Sequence, residues 1–341
     1  MSKNIHIFLN MKDGPWGGAN QFLKALRQIF IKLGIYEENP FMADVVLFNS
    51  HHNILEALKL KLQKPGLIFV HRVDGPVFFI RNRDKLLDKI IFKFSAEVAD
   101  FTIFQSAWSL EKCRELGFKG NNIAIIHNAP DKNIFNKEGK AHFSRDRKTR
   151  IIATSWSANM NKGFETYQFI DNNLDFDKYD FIFVGNSPIR FKNIRHIPPL
   201  NSCGLARELK KSDIFMTASK NDPCSNSLIE ALACGLPALV LNSGGHPELI
   251  SKGGELFENN NEIIKKLEKL TNNYSEYRKN IPKYDIRDTA LKYIDILRKQ
   301  KGESVKKINF FQYIIFMCRF YFINFKNILN YKINKLINGN G

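Results

Sequence analysis

Short apolar runs alternate with amphipathic stretches over most of the chain. Runs at 5–10 (IHIFLN), 43–49, 66–71, 101–106 and 123–128 read as strands, as do 151–156, 181–185, 213–218 and 238–242. Between several of them apolar positions recur at helical spacing, clearest at 19–33 and 285–300. Strand and helix taking turns in this way predicts parallel βα units. Residues 136–149 are polar, charged and aperiodic, and read as a linker. The pattern therefore predicts an α/β protein with one domain over 1–147, a second over 148–300 and a tail over 301–341. No internal repeat is visible.

Length and composition fit two domains. The chain has 341 residues and 44% hydrophobic content, enough for two cores and too apolar for a disordered protein. Its five cysteines are odd in number and form no C-x-x-C pair, which predicts reduced thiols rather than a disulfide framework or a zinc site. The start runs directly into a strand-like segment too short and polar for a signal sequence, so a cytoplasmic protein is expected.

Charge changes the picture at the C-terminal end. Basic against acidic side chains number 22 to 15 in 1–147, 22 to 18 in 148–300 and 7 to 1 in 301–341. The tail is thus the most basic part per residue, and it is also rich in Phe and Tyr. Asn309, Gln312, Arg319, Asn324 and Lys326 interrupt its apolar positions, so it falls short of the roughly 20 uninterrupted apolar residues of a membrane span. Residues 304–337 are expected to lie in a membrane interface, on an anionic inner leaflet; packing on the protein's own surface or on a partner is the alternative. No nucleic-acid-binding module accompanies the charge.

The densest chemistry lies in 217–248 (TASKNDPCSNSLIEALACGLPALVLNSGGHPE). Asp222 and Glu230 stand eight positions apart across the start of a predicted helix, which stops at Gly235-Leu236-Pro237. Asn226 is the expected N-cap, and Glu230 lies one turn further on the same face. A helix start of this kind offers N–H groups and the positive dipole end to a phosphate. Glu230 is placed to accept ribose hydroxyls, with Asp222 further out toward a sugar. Solvated acids beside an ordinary loop are the competing reading.

This segment resembles the donor-binding element of the retaining family-4 glycosyltransferases, usually E-G-F-G-x-x-x-x-E-A-x-A-x-G-x-P-V followed by G-G-x-x-E. Here Asp222 replaces the first Glu, and Gly244-Gly245-His246-Pro247-Glu248 supplies the second block. The resemblance extends along nearly all of 5–300. It implies the GT-B fold, two Rossmann-like domains facing a central cleft, with the first binding acceptor and the second binding a nucleotide sugar. Gly17-Gly18 resembles the loop after the first strand; Ile125 to Asp131, with Phe135 shortly after, resembles the segment closing the first domain. Asn161-Lys162-Gly163 resembles the loop whose Lys binds the diphosphate, although the family's preceding Arg is replaced by Thr154-Ser155-Trp156-Ser157. Gly185-Asn186 resembles a turn lining the nucleotide side, and Ile197-Pro198-Pro199-Leu200 follows where contacts to the base are usual.

By this resemblance Lys162 and Asp222 are catalytic, as is His71, at the predicted end of strand 66–71. Donor contacts fall to Gly17, Gly18, Gly185, Asn186, Ser225, Asn226, Ser227 and Glu230. Arg72 and Asp74 are expected to orient acceptor hydroxyls or an anionic acceptor. The implied activity is retaining transfer to a glycan, with no metal and no cofactor beyond the donor substrate; the basic aromatic tail adds the expectation of work on surface polysaccharide or lipid-linked glycan. His51-His52 lacks a matching ligand set for a metal, and Asp175-Phe176-Asp177 reads as a solvated loop. Two rivals stay open: a sugar-nucleotide epimerase, and a non-catalytic glycan- or membrane-binding protein with a degenerate cleft.

Overall fold

The computed structural model describes residues 4–12, 14, 17–81, 85–299 and 305–338, the side chains of 298, 299, 324 and 327–338 excepted. The membrane-interface expectation for residue 304 and for the side chains of 327–337 lies outside the described residues. A first sheet holds β1 (Ile5–Phe8), β2 (Val45–Asn49), β3 (Ile68–Val73), β4 (Phe101–Phe104) and β5 (Ile123–Ile125), all parallel and in that order. After the Gly18–Lys32 helix the chain touches the outer side of β1 through an isolated parallel bridge, Ile5 to Tyr36. It then crosses to β2 on the other side. That reversal lets helices cover both faces.

Burial follows from it. In β2 all five residues, VVLFN, are buried. Val45 and Leu47 point into a core shared with the Gly18–Lys32 helix, whereas Val46 and Phe48 point into one shared with the Ile54–Gln63 and Lys85–Glu97 helices. The period of two sends neighbours to opposite faces, and a sheet covered on both faces takes apolar residues at each.

The second sheet is also wholly parallel: β6 (Thr149–Ser155), β7 (Tyr179–Gly185), β8 (Arg195–Ile197), β9 (Ile214–Thr217), β10 (Ala238–Leu241) and β11 (Gly254–Phe257). Its order is β11-β10-β9-β6-β7-β8. This is the doubly wound arrangement with its switch point between β6 and β9, where a crevice opens beyond the strand ends.

Four expectations need correction. Residues 285–300 were expected in the second domain, but the Ile286–Lys299 helix lays Ile286, Ala290, Tyr293 and Leu297 on the first domain's core. The polar segment 136–149 is not a free connector: Arg147 makes a two-pronged ion pair with Asp213 (2.6 and 2.9 Å), and the Lys140 ammonium donates to Ser212 O (2.5 Å). The polar edge strand β8 and the short β11 gave no apolar run to read. Finally, the run 66–71 predicts a strand ending at His71, yet β3 continues to Val73 because Arg72 and Val73 pair with Asn49, Ile103 and Phe104.

The tail forms one helix, Phe310–Asn338, opened by a reciprocal cap in which Asn309 and Gln312 each accept from the other's backbone N–H (2.8 and 2.9 Å). Phe316 and Ile323, with Tyr313 and Phe320 beside them, pack on the first domain. A buried network fixes the approach. Asp100 accepts from the Lys61 ammonium (3.2 Å), from Phe69 N (2.8 Å) and from Lys306 N (2.6 Å). The Lys306 ammonium in turn meets Ala96 O (2.9 Å) and Ala99 O (2.7 Å) at the end of the Lys85–Glu97 helix. Asp100→Ala would strand the buried Lys61 charge; urea unfolding is expected to show a loss of about 3–5 kcal/mol, with the tail more readily cut by protease.

Candidate functional site

The C-terminal edges of the two sheets face each other across a cavity of about 390 Å³. Loops after β1, β2, β3 and β4 line it from the first domain, and the end of β7 with the loops after β6, β8 and β9 from the second. Loop ends of parallel sheets gather here because the helices occupy the faces.

Glycine decides how closely the second-domain loops meet. Gly163, at φ +87°, follows Lys162; a Cβ there would sit 2.4 Å from Ala218 O, and Lys220 N donates to Asn161 O (2.7 Å). Gly244, at φ +66°, lies under Asp222, where a Cβ would fall 2.2 Å from its carbonyl oxygen. Only residues without a Cβ let these backbones touch. The result is an ion pair at the crevice: Lys162 Nζ to Asp222 Oδ2, 2.9 Å. Burial works against an ionised Asp222, but the Lys162 ammonium, the nearby His246 and the Cys224 N–H outweigh it and hold the carboxyl below its ordinary value.

The Asn226–Ala233 helix begins beside this pair. Its N-cap is Ser225, whose Oγ accepts from Leu228 N, and not Asn226 as the pattern suggested. Asn226 is released to reach across the cleft, where its Oδ1 accepts from Asn128 Nδ2 (3.1 Å). Ser225, Asn226, Ser227 and Glu230 all line the cavity. Among the described residues no counter-charge meets the Glu230 carboxyl, and burial pushes it up to about 8.

From the first domain, Gly17 and Gly18 line the cavity. Gly18 serves the closed arrangement, since a Cβ there would lie 2.1 Å from the Asn226 amide nitrogen. Asp74, one residue beyond β3, also lines the wall and accepts from Gln105 Nε2 (2.7 Å). Arg72 is fully buried behind it, bonded to Asp74 Oδ1 (2.5 Å) and Asn128 Oδ1 (2.8 Å), so it supports the cavity wall without facing it. His71 does not reach the cavity. The extended β3 turns it into the layer beneath, 0% exposed, between Phe48 and Phe94. Burial, against the hydrogen bond to Ser50, lowers it to about 4. A neutral buried imidazole of this kind is no direct catalyst. Gly185 lines the cavity, while Asn186 supports it from outside by donating to Trp156 O (2.6 Å).

Several neighbours were not among the expected site residues. Trp156, His51, His52, Gln105 and Phe135 line the cavity, brought there by loops whose ends only the fold joins. Glu248 crosses between domains: it accepts from Ala107 N (2.9 Å) and Trp108 N (2.8 Å) at the start of the Ala107–Glu115 helix, and lies 3.2 Å from His127 Nε2. Burial opposes its charge, but His127 and the two N–H groups hold it below the usual range. Asn161 and Asn221 add cross-cleft bonds to Ile80 O (3.1 Å) and Phe79 O (3.3 Å).

Residues 192–288, which include Asp222, Glu230 and Glu248, match the glycosyl transferases group 1 family. The chain resembles the solved sucrose-phosphate synthase of Thermosynechococcus elongatus, with 13% identity and TM-score 0.68 over 89% of this chain and 100% of that one. HepE of Anabaena, solved in complex with UDP, gives 12% identity and TM-score 0.69 over 87% and 100%. The fold is GT-B. A probable sucrose-phosphate synthase of Thermosipho melanesiensis is 29% identical over 98 residues, a match spanning 27% of this chain and 23% of that protein.

Glu230 gives the GT-B cleft a pH signature. Unfolded, this carboxyl ionises near 4.5; folded, it keeps its proton to about 8. The folded state therefore holds the extra proton between those values, so the contribution of Glu230 to stability is greatest below pH 4.5 and declines as pH rises toward 8. Thermal melts of wild type and Glu230→Gln across that interval are expected to show the decline only in wild type.

Proposed function

We propose that the protein is a retaining glycosyltransferase, moving a sugar from a nucleoside diphosphate to a glycan acceptor. The observation that carries it is the row Lys162, Asp222, helix start and Glu230 along one wall of the interdomain cavity. A cation, a set of helix-end N–H groups and a carboxyl one turn along match phosphate, phosphate and ribose in sequence. The HepE neighbour was solved with UDP-glucose as well as UDP, which supports a nucleotide sugar in such a cleft.

On this reading a donor phosphate takes over the Lys162 ammonium, and the freed Asp222 carboxylate accepts hydroxyls of the donor sugar. The bond from the anomeric carbon to the diphosphate breaks while the acceptor oxygen bonds that carbon on the same face. The acceptor's proton passes to a phosphate oxygen. Lys162 balances the charge growing on the leaving group, alone where the family usually adds an Arg. No cofactor is assigned beyond the donor itself. The test is a panel of nucleotide sugars read by thermal shift and nucleotide release. One donor is expected to stabilise and turn over, with Lys162→Ala slowing turnover by about 10²–10³-fold and Glu230→Ala abolishing donor stabilisation. Stabilisation and turnover by no donor would favour a non-catalytic binding protein.

We further propose that the enzyme works on the inner face of a membrane, on lipid-linked glycan or surface polysaccharide. Opposite the packed side of the Phe310–Asn338 helix, Phe310, Phe311, Phe322 and Phe325 are 66–72% exposed, with Tyr321 beside them. Lys307, Arg319 and Lys326 are also exposed, so the stripe fits the apolar and charged layers of an anionic interface. Among the described residues no helix is long and apolar enough to cross a membrane. Sedimentation with phosphatidylglycerol vesicles is expected to weaken at least about tenfold on changing Phe310, Phe311 and Phe322 to Ser. Unchanged binding would remove the tail from the membrane contact.

A further inference from the structure

The loop after β2 is held in an unusual way. Ser50 (φ 52°) and Asn53 (φ 59°) both have left-handed backbones without being glycine, and between them stand His51 and His52. Their rings stack at 4.6 Å between centroids, and both line the cavity on the wall facing Lys162 and Asp222. Backbones of this kind persist where their surroundings over-determine them. Here the constraint is visible. Ser50 N donates to Arg72 O (2.7 Å), and Ser50 O accepts from His71 Nε2 (2.7 Å). A carbonyl only accepts, so Nε2 carries the ring proton and Nδ1 accepts from the Ser95 hydroxyl at 2.8 Å. The buried His71 thereby clamps the residue that aims His51.

We propose that His51 and His52 recognise the acceptor, that His71 positions them through Ser50, and that the acceptor ends in an uncharged, hydroxyl-bearing sugar. This rests on the glycosyltransferase reading and goes further by naming the acceptor's class. An imidazole combines a donor, an acceptor and a flat apolar face, which suits hydroxyls that both give and take a proton; His51 Nδ1 already meets the Ser50 hydroxyl (3.1 Å), a contact that sets its ring. Among the described first-domain residues lining the cavity, Asp74 bears the one fixed charge, and it already meets Arg72. Among its described residues that wall presents no cation to hold a carboxylate or phosphate, and Asp74 repels one. Of the two acceptors expected for this wall, one read through its hydroxyls and one anionic, the first is the one proposed.

The test uses the full chain with its donor fixed by the panel above, and neutral against uronic-acid-containing oligosaccharides as acceptors. Neutral glycans are expected to be glycosylated in preference. His52→Ala, at an exposed position, and His51→Ala are each expected to raise the acceptor KM about tenfold, with the nucleotide's Kd unchanged. His71→Leu should raise the acceptor KM similarly with kcat nearly kept, and His71→Gln, whose amide can donate to Ser50 O, should restore it. A preference for acidic glycans, or an unchanged acceptor KM in His52→Ala while donor is still consumed, overturns the proposal. A wild-type protein that consumes no nucleotide sugar overturns the transferase reading and this one with it.

Discussion

The approach of three backbones around Asp222 is the constraint on which the site depends. Gly163 lets the Lys162 loop lie against Ala218, and Gly244 lets the loop after β10 lie under Asp222. Gly245 N then donates to Asp222 O (2.9 Å), fixing the segment ahead of the Asn226–Ala233 helix. With these contacts the ammonium of Lys162 stands 2.9 Å from the Asp222 carboxylate and within one cavity with Glu230. A Cβ at any of the three glycines would separate elements that must meet at the switch point of the sheet.

A second set of contacts closes the two domains on each other. Glu248 completes the start of a helix in the other domain, where its charge meets two free N–H groups and the dipole's positive end. Asn226 and Asn128 bond across the gap, and Gly18 leaves the space they need. These bonds are polar and few, unlike the apolar layers inside each domain, so they are suited to breaking and re-forming as a ligand enters and leaves.

Much of this was legible in the sequence. Strand runs of VVLF or ALVL type need burial on both faces, and their alternation with helices allows only parallel units. The spacing of Asp222 and Glu230 set both along one helix start, where the structure has them. His71 shows the opposite case. Two extra residues of β3, recruited by pairing with β2 and β4, moved it from the rim of the cleft to the layer beneath. The helix cap shifted by one residue for a related reason, since Asn226 had a partner in the other domain and Ser225 did not.

The sequence by itself determined the two α/β units and the placing of Asp222 and Glu230 across one helix start. Those features rest on local period, chain stiffness and glycine placement, which act over a few residues. Tertiary structure alone decided that 286–299 returns to the first domain, that His51, His52 and Asp74 share a wall, and that Glu248 bridges the cleft. Each of these joins residues far apart in the chain. Their meeting depends on which strand ends come together, and no local pattern encodes that.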